Sequence, residues 1–275
     1  MSKLTKALVA LAFIASQAIA INPSNALPNL TTKQTSNVKA LFTAFATSDP
    51  DKIAAASVKY TKAGTAARNF AEMVKNNHAT IRYFKSINAF GMPSGLAVTA
   101  EAKGKSTPNG SSVTLNSVND AFDGKFSDFT FDSAGKISNF KVSTSAGKSA
   151  EKVSDRIFAI KQTESAGAMF VTSGFVYKQP DAKTFVQLQV KNNSAALKSW
   201  SFAKGRYASA ENKYYPVVMS PVGCLYPGQT AFMQSTVSDT PVIAAGTGAA
   251  FEAPTFDGCG DGSSPASSVL RFITG

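Results

Sequence analysis

Apolar residues recur along this chain with two different periods, and the change of period separates a helical opening from a long run of strands. Val38, Leu41, Phe42 and Phe45 fall at i, i+3, i+4 and i+7, which predicts a helix with one buried stripe. Ser48-Asp49-Pro50-Asp51 predicts a break, because Asp49 can cap a second helix and Pro50 suits its first turn. Ile53, Ala54, Ser57 and Val58 carry that helix towards Gly64, and a third is expected from Thr65 with Phe70, Met73, Val74 and Asn77 on related faces. Strands are expected next, over residues 81–90, 96–102 and 112–119, divided by Gly91-Met92-Pro93 and Thr107-Pro108-Asn109-Gly110.

Residues 122–142 give the clearest local signal. Two runs of strand formers flank Asp132-Ser133-Ala134-Gly135, a turn with Asp first and Gly last, which predicts a β-hairpin. Simple alternation puts Ser127, Phe129 and Phe131 on one face and Phe126, Asp128 and Thr130 on the other. Helices followed by antiparallel strands predict an α+β domain over residues 33–145, its helices packed on a curved sheet.

Residues 146–165 are polar and basic and read as a connection, with room for one strand at 157–160. Beyond them, short strands are expected at 169–177, 184–191, 198–208, 213–219, 230–237 and 249–253, with no helical period between. That rhythm predicts an all-β sandwich over residues 166–275.

Two resemblances attach to these halves. LFTAFATSDPDKIAAAS together with FSDFTFDSAGKISNFKV resembles the cone-shaped fold of the nuclear transport factor two-like and ketosteroid isomerase-like superfamily. FVQLQVKNNSAALKSWSF, followed by YYPVV and CLYPGQTAFMQSTV, resembles immunoglobulin-like domains of bacterial extracellular proteins. The first implies a cone that can serve enzymes, ligand carriers or noncatalytic binding, and the second implies an immunoglobulin-like sandwich. Neither fold fixes a function by itself.

The N-terminus changes the picture by adding a destination. Lys3 and Lys6 precede an apolar run over residues 7–20 that closes on Ala18-Ile19-Ala20, which predicts a secretory signal peptide over residues 1–20 and a linker over 21–32. The run is shorter than the ~20 residues of a membrane-spanning helix, so a secreted or extracytoplasmic protein, periplasmic or on the cell surface, is expected, with no transmembrane segment after removal of the signal. In that compartment Cys224 and Cys259 are expected to form a disulfide, worth about 3–4 kcal/mol through restraint of the unfolded chain.

Charge narrows the choice of partner. The chain carries a formal net charge of +11, and residues 21–165 hold 18 basic against 11 acidic side chains. Such an excess favours an anionic envelope polymer or surface; simple solubility explains it equally well while the lysines are scattered in sequence. Specific nucleic-acid signals are absent.

Candidate chemistry is sparse. A cone-fold enzyme needs a buried acid or histidine near a tyrosine, and His78, Tyr83 and Asp128 are the residues that could line such a pocket. The alternatives are a histidine that merely ends a helix and a solvated Asp128. Trp200, Arg206, Tyr207, Tyr214 and Tyr215 could form an aromatic and basic binding surface; Trp200 could equally be core. No catalytic residue, metal site or cofactor is expected. The expectation is therefore a noncatalytic binding or envelope-associated protein whose basic first domain meets an anionic partner. Two alternatives stand beside it: a cone-fold enzyme or carrier of a small apolar ligand, and a structural subunit of a self-associating surface assembly.

Overall fold

The computed structural model describes residues 30–47, 49–88, 104–117, 120–166, 169–200, 205–208, 213–217, 225–237, 246, 248–258 and 266–274. The expected signal peptide, the strand at 96–102, Cys224 and Cys259 lie outside them. Within them the protein is α+β, with three helices followed by antiparallel sheet.

Helix α1 (Thr32–Phe45) starts at a reciprocal cap: the Gln34 amide donates to Thr31 Oγ1 over 3.2 Å and the Thr31 amide donates to Gln34 Oε1 over 2.9 Å. Its expected stripe of Val38, Leu41, Phe42 and Phe45 is fully buried. Helix α2 (Pro50–Tyr60) begins at Asp49, whose Oδ1 accepts from the Asp51 amide over 3.0 Å. Ile53 and Ser57 face inward, whereas Val58 is 59% exposed. Helix α3 (Ala66–Asn88) runs past the expected strand at residue 81. No Gly or Pro interrupts residues 65–90, and an established helix extends at little cost.

Strands β1 (Lys105–Asn109), β2 (Ser112–Asn116), β3 (Gly124–Phe131), β4 (Ile137–Ser143) and β5 (Glu151–Lys152) form a meander in chain order. Thr107-Pro108-Asn109, read as a break, belongs to β1, an edge strand, where proline forfeits no ladder bond. The β3–β4 turn forms as expected: Asp132 Oδ1 accepts from the amides of Ala134 and Lys136 at 3.0 and 2.8 Å, and Gly135 adopts φ +78°. The alternation in β3 differs from the simple period. Asp128 adopts φ +50° and the register shifts between Ser127 and Thr130, so that Phe126 and Phe129 are both buried. This is the two-for-one offset of a β-bulge, and Asp tolerates the left-handed backbone better than most residues.

The second sheet has nine strands. They are β6 (Ile157–Ala166), β7 (Met169–Lys178), β8 (Thr184–Asn192), β9 (Lys198–Trp200), β10 (Gly205–Ala208), β11 (Tyr214–Val217), β12 (Thr230–Val237), β13 (Gly248–Asp257) and β14 (Ala266–Thr274), in the order β11-β10-β13-β14-β6-β7-β8-β12 with β9 also on β13. Strand β6 extends well beyond the expected 157–160, and β14 adds a strand that the sequence pattern does not predict. The sheet bends through β6: residues 157–159 pair with β7, and the rest of the strand pairs with β14. Gly174 lies near this parting. A β-carbon there would sit 2.4 Å from the Gln187 carbonyl oxygen and 2.7 Å from Ile160 Cδ1. Gly174→Ala should therefore lower stability by about 1–3 kcal/mol in urea unfolding, and an unchanged midpoint would show that the strands can part without effort.

The larger core lies between the helices and the first sheet and is built from rings. Phe70 stands 5.5–6.0 Å, centroid to centroid, from Phe45, Phe122, Phe126, Phe140 and Tyr177. Val153, Ile157, Tyr177 and Phe185 join this core, so it reaches through the expected connection into β6, β7 and β8. A smaller core of Phe158, Val176, Val186, Leu188, Met233 and neighbours fills the second sheet. Between helix α3 and that sheet runs a buried polar seam. Gln234 Nε2 donates to Asn77 Oδ1 over 2.8 Å, and Gln187 Nε2 donates to the Met73 carbonyl over 3.3 Å. Arg156, 1% exposed, closes the junction: Nη1 donates to the carbonyls of Lys178 and Gln179 at 3.1 Å each and Nη2 to that of Ser149 at 2.5 Å.

Candidate functional site

Basic residues from three separate stretches of the chain, Lys33, then Lys59, Lys62 and Arg68, then Lys136, come to the place where α2 ends against the β3–β4 turn. Topology brings them there. The Lys62 amide donates to the Ile137 carbonyl over 2.9 Å, and Thr61 forms a parallel bridge with Ile137. Arg68 folds back on the end of α2, with Nε on Thr61 Oγ1 at 2.6 Å and Nη2 on the carbonyls of Ser57 and Thr61 at 2.9 and 2.8 Å. Lys136 Nζ, from the turn, donates to the Val58 carbonyl over 3.2 Å. Asn37 Nδ2 of α1 donates to the Gly135 carbonyl over 2.9 Å, and the Lys33 stem passes beside Gly135. Cations suit a helix C-terminus, whose last carbonyls carry partial negative charge.

Acids stand nearby, Asp132 in the same turn and Glu72 3.5 Å from Ser57 Oγ, but they do not pair with the cations of this corner. Among the described residues, no carboxylate forms an ion pair with Lys33, Lys59, Lys62, Arg68 or Lys136. Lys33, Lys59 and Lys62 are exposed. Lys59 Nζ lies 5.2 Å from the centre of the Tyr60 ring, and Val58, whose carbonyl Lys136 reaches, is exposed.

The opposite end of α2 is neutralised. Arg82 Nη2 and Nη1 reach Asp49 Oδ1 and Asp51 Oδ2 at 2.8 and 2.9 Å, and Lys52 Nζ lies 3.6 Å from Asp49 Oδ2. Desolvation works to raise the Asp49 pKa, but the Asp51 and Lys52 amides and the charges of Lys52 and Arg82 hold it below the ordinary value. An open groove of about 460 Å³ lies beside this end, between Thr43, Thr47 and Asp49 and the β1 residues Lys105 and Ser106. It contains no buried acid or histidine.

The residues expected to line a cone pocket sit in different surroundings. His78 is 1% exposed on α3, and neither ring nitrogen has a hydrogen-bond partner among the described residues. Asp128 is at the surface, its Oδ2 2.8 Å from Lys141 Nζ. The Tyr83 side chain lies outside the described residues. Burial lowers the His78 pKa from 6.5 to about 4. The neutral form is therefore the folded form: its stability is intact above pH 6.5 and declines as the unfolded chain binds a proton below it. Stability should fall by about 2 kcal/mol between pH 7 and pH 5 from this group alone. Urea titrations of wild type and His78→Leu at the two pH values check this, because the variant should lose that share of the pH dependence.

Of the expected aromatic and basic surface, Arg206, Tyr207, Tyr214 and Tyr215 fall on the paired strands β10 and β11, and Trp200 falls on β9. Tyr207 pairs with Tyr215 and Arg206 with Pro216 across β10 and β11, while Trp200 pairs with Thr255 on β13. Tyr214 is 58% exposed, and Tyr215 packs on the smaller core. The side chains of Trp200, Arg206 and Tyr207 lie outside the described residues. No group of three His, Cys, Asp or Glu suited to a metal ion occurs among the described residues, and no described helix is long and apolar enough to cross a membrane. No family model matches the chain, and no curated protein matches it.

Proposed function

We propose that this is an exported, noncatalytic binding protein that contacts an anionic partner through the basic corner of its first half. The observation that carries the reading is the convergence of Lys33, Lys59, Lys62, Arg68 and Lys136 without a paired carboxylate. Ammonium groups gathered in this way repel one another and gain when a polyanion neutralises them. The ring-packed core weighs against a carrier or enzyme working from an apolar cone cavity, because Phe70, Phe122, Phe126 and Phe140 occupy that interior in mutual contact. On this reading the first half is the cone-like binding domain. The second, immunoglobulin-like in kind, acts as a spacer or second contact.

Chromatography of the full chain on immobilised polyphosphate tests it. Wild type should elute at clearly higher salt than the variant K33Q/K59Q/K62Q/K136Q, since each lost cation releases fewer counterions. Equal elution of the two would discard the reading.

A further inference from the structure

We infer that the basic corner docks on an anionic lipid surface, with Val58 entering the headgroup layer beside the lysines. The inference rests on the anionic-partner reading and narrows it to one class of partner. Its support is the face that α2 presents. Ala55, Val58 and Lys59 are exposed on the helix and Lys62 is exposed just beyond its end, so a small apolar patch adjoins lysines on its C-terminal side. Lysines with aliphatic stems beside a small exposed hydrophobe match an interface that is charged outside and oily beneath.

Nucleic acid is less well served by the same surface. Arg68, the planar fork suited to phosphate or base edges, commits Nε and Nη2 to Ser57, Val58 and Thr61, so the fork edge formed by those two nitrogens is not offered to a ligand. Tyr60, the aromatic of the corner, packs against the core, so no free ring is offered for base stacking. The exposed groups are mainly the ammonium point charges of Lys33, Lys59 and Lys62 and aliphatic carbon. These need no defined partner geometry. A fluid array of phosphate headgroups satisfies them.

Sedimentation of the full chain with vesicles of phosphatidylglycerol and phosphatidylcholine, against phosphatidylcholine alone, is the test. Each lysine near an anionic surface contributes about a five-fold gain in partitioning, so K33Q/K59Q/K62Q/K136Q should bind the anionic vesicles roughly six-hundred-fold more weakly. The apolar run at residues 7–20 is common to both proteins and leaves their difference intact. Val58→Trp should add emission that shifts to the blue with anionic vesicles, measured as a difference from wild type. Equal vesicle binding by wild type and the lysine variant overturns the lipid inference, as does added emission from the Val58→Trp variant that stays in place when vesicles are present. Retention on polyphosphate without lysine-dependent vesicle binding overturns the lipid step while leaving the anionic-partner reading in place. Lysine-independent behaviour in both assays overturns both.

Discussion

Arg156→Met should destabilise the protein by about 3–5 kcal/mol, the range for removing one member of a buried charged network. The methionine fills much of the volume but leaves the carbonyls of Ser149, Lys178 and Gln179 without the donors that satisfy them. It also strips Glu151 of the guanidinium 3.4 Å from its Oε2. Arg156→Lys should recover only part of the loss. One ammonium cannot span the three carbonyls that the planar fork reaches from two nitrogens. Urea unfolding gives the comparison, and a midpoint for Arg156→Met close to that of wild type would mean that the junction is held by other contacts.

A loss of similar size, about 3–5 kcal/mol, is expected for Phe70→Ala, which removes a ring touching five others and leaves a cavity that rigid neighbours cannot close. Phe70→Leu keeps most of the volume and should lose much less. The shape of the transition matters as much as its midpoint. Because Tyr177 and Phe185 belong to the same core as the helices, helical and strand signals should be lost together in one transition. Two separated transitions would show that the halves are independent despite the shared core.

Local rules make the helices and the central hairpin legible. Thr31, Asp49 and Pro50 mark helix starts by chemistry confined to one turn, and Asp132 and Gly135 do the same for the β3–β4 turn. Where a feature depends on distant pairing, the sequence is silent. The bulge at Asp128 becomes visible only when β4 supplies a partner, and until then a strict two-residue period misplaces Phe129. Strand β6 reads as linker because its polar outer half, Lys161 to Ser165, finds its partner in β14, more than a hundred residues later. The basic corner is hidden for the same reason. Lys33, Lys59, Lys62 and Lys136 read as scattered until Thr61 meets Ile137 and the Lys136 ammonium meets the end of α2. Arg156 gives no sign of burial, since a lone arginine between polar residues and a strand reads as a surface charge.

The seam between α3 and the second sheet also sets an order of events for a chain that emerges from its N-terminus. Asn77 waits 157 residues for Gln234, and the Met73 carbonyl waits 114 for Gln187. Until those partners arrive, the inner face of α3 and the rings beneath it have no lid. Such non-local closure makes for slow folding and leaves sticky intermediates exposed while synthesis continues. The protein is thus built to complete itself late, and a truncation before β12 should yield an aggregating fragment rather than a smaller working domain.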